Sequence, residues 1–149
     1  MEELYNELME YLREHMAELG LEGLDEDFGQ LEALLNGEDT YPVTFPCLLI
    51  MLGEAQWEDY KPTNGKQRGQ MTVTTRLAFD CYDDTHVGAD QQEYAHERQQ
   101  KARCLHRLLQ GSAPRTCNGS AMSRTASRTI SLPGGIKVYE TDYKLRLSD

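Results

Sequence analysis

The stretch Gln70-Met-Thr-Val-Thr-Thr-Arg-Leu-Ala-Phe-Asp-Cys-Tyr82 decides the fold. In an extended chain Met71, Val73, Thr75, Leu77, Phe79 and Cys81 share one face, and Thr72, Thr74, Arg76 and Asp80 the other. Side chains alternate across a strand with a period of two, so the pattern predicts a β-strand with one face turned to a core. Just before it, Lys61-Pro-Thr-Asn-Gly-Lys-Gln-Arg-Gly69 reads as a polar, basic loop with the turn dipeptide Asn-Gly at its centre. Earlier still, Val43-Thr-Phe-Pro-Cys-Leu-Leu-Ile-Met-Leu52 reads as a strand buried on both faces. Pro46 lacks an N–H for the ladder and is expected near that strand's start or beside an edge. The two strands predict a long hairpin.

Outward from the hairpin the periodicity changes. Residues 1–20 predict an amphipathic helix, with Leu4, Leu8, Leu12 and Leu19 on an apolar stripe and Glu3, Glu7, Glu10, Glu14 and Glu18 opposite. Gly20 tolerates the left-handed conformation that ends helices and is the expected cap. Residues 21–35 stay open between strand and helical turn: Leu31, Leu34 and Leu35 favour helix, whereas Gly29 argues against continuity. A second helix is expected from Asp90, as N-cap with Glu93 its capping-box partner, through an apolar side of Tyr94, Ala102, Leu105, Leu108 and Leu109. Gly111 and Pro114 stop it. Residues 121–132 and 136–147 alternate again around Pro133-Gly-Gly135, a tight-turn composition, and predict a second hairpin. The expectation is an α+β domain over 1–149: a mostly antiparallel sheet of about four strands in two hairpins, with two main helices packed against it.

The 149 residues suit one domain. A net charge of −10 disfavours general nucleic-acid coating. Charge is segregated along the chain: residues 1–60 hold 16 acids against Arg13 alone, whereas residues 61–149 hold 9 acids and 14 bases. Phe45 to Leu52, the longest apolar run, is far short of the roughly 20 residues that a membrane helix needs. No basic and apolar leader opens the chain, so a cytoplasmic setting with reduced thiols at Cys47, Cys81, Cys104 and Cys117 is expected.

Catalytic chemistry is hard to find. His96-Glu97 begins like a zinc-binding helix, but Gln100 stands where the second histidine is needed. Asp80, Asp83 and Asp84 place carboxylates together after a strand, where they would bind a cation or simply form a turn. No nucleophile elbow, phosphate loop or dinucleotide fingerprint occurs. No enzyme activity, metal or cofactor is therefore expected. The candidate interface residues are the bases Lys61, Lys66, Arg68, Arg115, Arg124 and Arg128, suited to phosphates or to an acidic neighbour, and Trp57, either an anchor or a core residue, with core the simpler expectation.

A set of weak signatures runs in order through the chain. The acidic helix is followed by Asp27-Phe-Gly-Gln-Leu-Glu32, Tyr41-Pro42-Val43, Phe45-Pro-Cys-Leu-Leu-Ile50 and Trp57-Glu-Asp59. Then come Gln67-Arg-Gly69, Asp80-Cys-Tyr-Asp-Asp84, a helix, and a closing hairpin with Val138-Tyr139-Glu140. This layout resembles the tail-terminator, or tail-completion, proteins of phages and prophages. The resemblance implies a non-enzymatic α+β subunit that closes as a homo-oligomeric ring, usually a hexamer, on the head-proximal end of the tail tube. Its partners would be further copies of itself, the tube protein and head-completion proteins. DNA would only pass through, and the protein would sit in the host cytoplasm during assembly and in the virion tail afterwards. An acidic ring suits that duty, because a lumen without a basic lining does not hold DNA by counterion release. Two further readings stand beside it: a small intracellular adaptor or inhibitor of a single partner, and a metal-dependent nuclease-like enzyme built on the three aspartates.

Overall fold

The computed structural model describes residues 2–37, 43–61, 65–81, 90–115 and 119–148. Its centre is the strand that the alternation predicts, β3 (Lys66–Asp80). Two antiparallel neighbours flank β3: β2 (Cys47–Lys61) on one side and β5 (Ile136–Ser148) on the other. Outside them lie β1 (Gly23–Glu26), parallel to β2, and β4 (Ser123–Leu132), antiparallel to β5, giving the order β1-β2-β3-β5-β4. The register sets Leu48 beside Leu77, and Leu77 beside Tyr139. Alternation then sends Leu48, Ile50, Met71, Val73, Leu77, Tyr143, Leu145 and Leu147 into one core.

Helices cover that face. Helix α1 (Glu2–Glu14) contributes Leu4, Leu8, Met9 and Leu12, and the single turn α2 (Met16–Leu19) adds Leu19. Gly20 ends α2 at φ 65°, the left-handed cap that the sequence predicts. Helix α4 (Asp90–Leu109) buries Leu105 and Leu109, and Tyr11 of α1 donates a hydrogen bond to its Leu108 carbonyl at 2.9 Å. The opposite face of the sheet carries a smaller core of Cys47, Leu49, Ala78, Ile136 and Val138, closed by Leu31 of the short helix α3 (Gln30–Leu35).

Several expectations need correction. The sheet has five strands and is mixed, because residues 21–35 form both alternatives in turn: strand β1, then helix α3. A four-residue strand shows no alternation, and its partner lies more than twenty residues away, so no local signal marks it. The first helix breaks at His15. Lys61 and Lys66 to Gly69, expected in the basic loop, instead belong to the ladder, through Asp59↔Gln67 and Lys61↔Lys66, and residues 62–64 lie outside the described residues. Backbone pairing on both sides overrides the polar side chains there. Strand β2 starts at Cys47, directly after a cis Phe45–Pro46 bond, and its burial on both faces holds for Cys47 to Ile50 only. Tyr94, expected on the apolar side of α4, is exposed; only the C-terminal half of that helix packs. The capping side chain of Asp90 lies outside the described residues.

One side-chain arrangement binds the second face. Arg76, on β3, sets Nη1 3.1 Å from Asp27 Oδ2 and Nη2 2.8 Å from Glu32 Oε1. Asp27 Oδ1 also accepts the Gly29 N–H, while buried Gln30 receives the Phe28 N–H at 2.8 Å and donates to the Glu26 carbonyl at 2.6 Å. The stretch Asp27-Phe-Gly-Gln-Leu-Glu32 is therefore a knot that ties α3 to the centre of the sheet. Glu32 is 57% exposed and contributes little, whereas Asp27 at 6% and Arg76 at 12% form a desolvated pair. Removing one member strands the other charge. Arg76→Ala is expected to cost about 2–4 kcal/mol of unfolding free energy, read as a lower urea midpoint with unchanged slope; a midpoint within error of the parent would show that the knot is dispensable.

Candidate functional site

The seven predicted interface residues do not converge. Trp57, Lys61, Lys66 and Arg68 lie on the outer half of the β2–β3 hairpin, Arg115 lies in the loop after α4, and Arg124 and Arg128 lie on β4. Trp57 is not core: it is 43% exposed, and its indole lies across Gly69 on the neighbouring strand. A Cβ at Gly69 would fall 2.7 Å from the ring, so only glycine lets the indole lie flat there. Arg68 sits opposite Glu58 in the ladder, and the Lys61 side chain lies outside the described residues. The backbone N–H of Arg115 donates to the Glu7 carboxylate, pinning its loop to α1.

The two arginines of β4 have different surroundings. Arg128 Nε is 3.1 Å from Glu140 Oε2, and its Nη2 is 2.7 Å from Asp142 Oδ2. Glu140 also lies 3.6 Å from Arg76 Nε, and Asp142 accepts a hydrogen bond of 2.8 Å from the Thr74 hydroxyl. A charged chain thus crosses the second face from Asp27 through Arg76, Glu140 and Arg128 to Asp142. Arg128 is committed within its own sheet. Arg124 is exposed, and its backbone N–H donates to the Gln110 side chain at 2.8 Å.

Arg124, Arg128, Arg103 and His106 line an open groove of about 550 Å³ between α4 and the β4–β5 hairpin, with Thr129 and Tyr139. His106 Nδ1 and the Tyr143 hydroxyl share a hydrogen bond of 2.9 Å, and their rings stack. Burial, and then the nearby Arg124 charge, lower the pKa of His106; burial pushes Tyr143 up to about 12. His106 is thus half-buried against Tyr143. Three arginines and no acid are among the residues that line this groove.

The opposite end is acidic. Among the described residues strand β1 pairs only with β2, and it presents Asp25 and Glu26 to solvent. Phe28, 53% exposed, lines a cleft with Asp25, and Leu34 and Leu35 of α3 and Met51 of β2 are also exposed. Sequence reasoning missed this exposure. The signal was there in Leu31, Leu34 and Leu35 at helical spacing, which implies burial of all three, but six residues give α3 too few turns to cover them, and only Leu31 is enclosed.

Among the described residues no three His, Cys, Asp or Glu side chains gather as a metal site, and no helix is long and apolar enough to cross a membrane. Asp83, Asp84, His86 and Cys117 lie outside the described residues. Cys47 and Cys104 are free thiols, and burial raises Cys47 to about 11, far from reactive thiolate.

No protein-family model and no curated protein matches the chain. Among solved structures, a chain from the virion of a native gene transfer agent particle is similar at 11% identity over 80% of this chain and 86% of that one, with a TM-score of 0.49. A likeness of that degree says nothing about function.

The His106 environment fixes a sign for pH dependence. Its folded pKa lies below the unfolded value, so the unfolded chain binds more protons between the two. Stability from this site is complete above about pH 6.5 and declines as pH falls through that value towards the folded pKa. The melting temperature is expected to drop between pH 7.5 and 5.5, a range set by the ordinary histidine pKa of about 6.5, with a shallower drop in His106→Gln; equal drops in both proteins would assign the effect elsewhere.

Proposed function

We propose that this chain is a non-enzymatic virion-assembly protein of the tail-terminator type, which closes as a ring of identical subunits on the end of a tail tube and presents the head-joining surface. The observation that carries the reading is the opposition of charge across the sheet: Asp25 and Glu26 are exposed at the β1 end, and Arg124 is exposed at the β4 end. A ring of identical subunits needs two different, mutually complementary surfaces on each copy. The ordered signatures from Asp27 to Glu140 support the same reading by resemblance.

In this account the partners are further copies of the chain, in a ring we take to be hexameric, with the tube protein on one side and head-completion proteins on the other. The β2–β3 hairpin is suited to such a contact. Only Cys47 to Ile50 of β2 are flanked by β1, so among the described residues the strand from Met51 to Lys61 has no partner on that edge. DNA is a passing cargo with no dedicated site, and no cofactor is required.

The reading is tested in cells that produce the particle. Deleting the gene is expected to leave filled heads alongside headless tails of uncontrolled length, counted by negative-stain electron microscopy. Tails of uniform length joined to heads in the deletion strain would refute it.

A further inference from the structure

The sheet is wider than the helices that cover it. Strand β4 is exposed at every residue from Ser123 to Thr129, so neither of its faces is buried there. The register shows which of these side chains face the helices. Arg124 pairs with Tyr143, Ser127 with Thr141 and Thr129 with Tyr139, and both tyrosines pack in the core beneath α1 and α4. Arg124, Ser127 and Thr129 therefore stand on the helix face. They form one wall of the groove of about 550 Å³ whose other wall is α4, with Arg103 and His106. Arg128 pairs with Glu140 on the opposite face, where its guanidinium is engaged by Glu140 and Asp142.

The charge in this groove is not neutralised. The chain holds 25 acids against 15 lysines and arginines, yet neither Arg103 nor Arg124 has a carboxylate partner among the described residues. No acid lines the groove, and the two guanidiniums in it repel one another. We propose that the groove holds an extended, carboxylate-bearing segment of a partner protein. An anion lying between Arg103 and Arg124 removes the repulsion, and the guanidinium fork matches a carboxylate with two parallel N–H donors.

The shape of the groove favours a peptide. Strand β4 lines it from Arg124 to Thr129, roughly 17 Å at the usual rise of about 3.3 Å per residue, the length of a short extended segment. The Ser127 and Thr129 hydroxyls along that wall donate and accept, as the amides of such a segment require. A long polyanion such as duplex DNA fits less well. It would run past the groove over the surface of a chain whose net charge is −10, whereas a short segment meets chiefly the field of the two arginines. The occupant lies on the helix face and leaves the outer edge of β4 open. The inference thus goes beyond the ring reading and concerns a different surface, with Arg124 at the corner that the two share.

The test is fluorescence anisotropy of a labelled short peptide of alternating glutamate and valine, titrated with the full chain at low salt. The parent is expected to bind it saturably and to ignore the same peptide with glutamine in place of glutamate. Arg103→Gln should weaken binding about tenfold, the worth of one hydrogen bond to a charged group, and adding Arg124→Gln should abolish it. Arg107→Gln removes the same charge from an exposed position of α4 outside the groove and should leave the affinity unchanged. Melting temperatures close to the parent's would show that the variants fold. No saturable binding by the parent overturns the inference, as does equal weakening by Arg107→Gln and Arg103→Gln. Duplex DNA bound more tightly than the peptide, with the same dependence on Arg103, would overturn the choice of a protein occupant. None of these results touches the tail-length test, which judges the functional reading by itself.

Discussion

The guanidinium of Arg76 is the constraint on which the second face of the sheet depends. It stands at the middle of the central strand and takes Asp27 and Glu32 from one end of the molecule while reaching Glu140, and through it Arg128, towards the other. A buried arginine is costly unless its partners are held in place. Here the partners are held by hydrogen bonds of their own: Asp27 by the Gly29 N–H, and the adjoining turn by Gln30. The consequence is rigidity in the two outermost parts of the sheet. Strand β1 and helix α3 would otherwise be four- and six-residue elements with little core of their own. Arg76 also lowers the pKa of Glu32 through its hydrogen bond, so the small contribution of that exposed carboxylate fades as pH falls through the carboxylate range.

The assembly account follows from what this rigidity presents. The acidic end is tied to the sheet by Asp27 and α3, and on the basic edge Arg128 pairs with Glu140 and Asp142 next to a register shift between Arg124 and Ala126. The fold brings acids of residues 1–60 against bases of residues 61–149, as Asp27 meets Arg76 and Glu58 faces Arg68, and leaves Asp25 and Glu26 exposed at one end of the sheet and Arg124 at the other. The groove beside His106 belongs to the same basic end and widens it towards α4.

The sequence was legible where one element decides its own environment. Strand β3 forms where residue type alternates, although Thr74 and Ala78 are buried on its second face too, the hairpin at Pro133-Gly-Gly135 carries its turn chemistry, and Gly20 caps its helix as expected. It was illegible where the environment comes from far away. Strand β1 exists because β2 accepts it, and Arg76 meets Asp27 across 49 positions. Lys66 to Gly69 look like loop because their side chains are polar, yet they are strand because β2 and β5 supply ladder partners. The candidate interface was found by residue type but not by grouping. Arg124 and Arg128 share an edge, Arg115 and the hairpin bases lie elsewhere, and Phe28 went unnoticed, since an isolated aromatic beside a glycine carries no periodic signal.

Hydrogen–deuterium exchange at low and high protein concentration tests the central claim, that the two ends of the sheet meet between copies, most directly. The account predicts that on association the amides of Ser123–Leu132 and of the segment from Gly23 to Phe28 become protected together, while the helix face around α1 and α4 is unchanged. Unchanged exchange at both ends in an associated sample, or protection confined to the helix face, would contradict it.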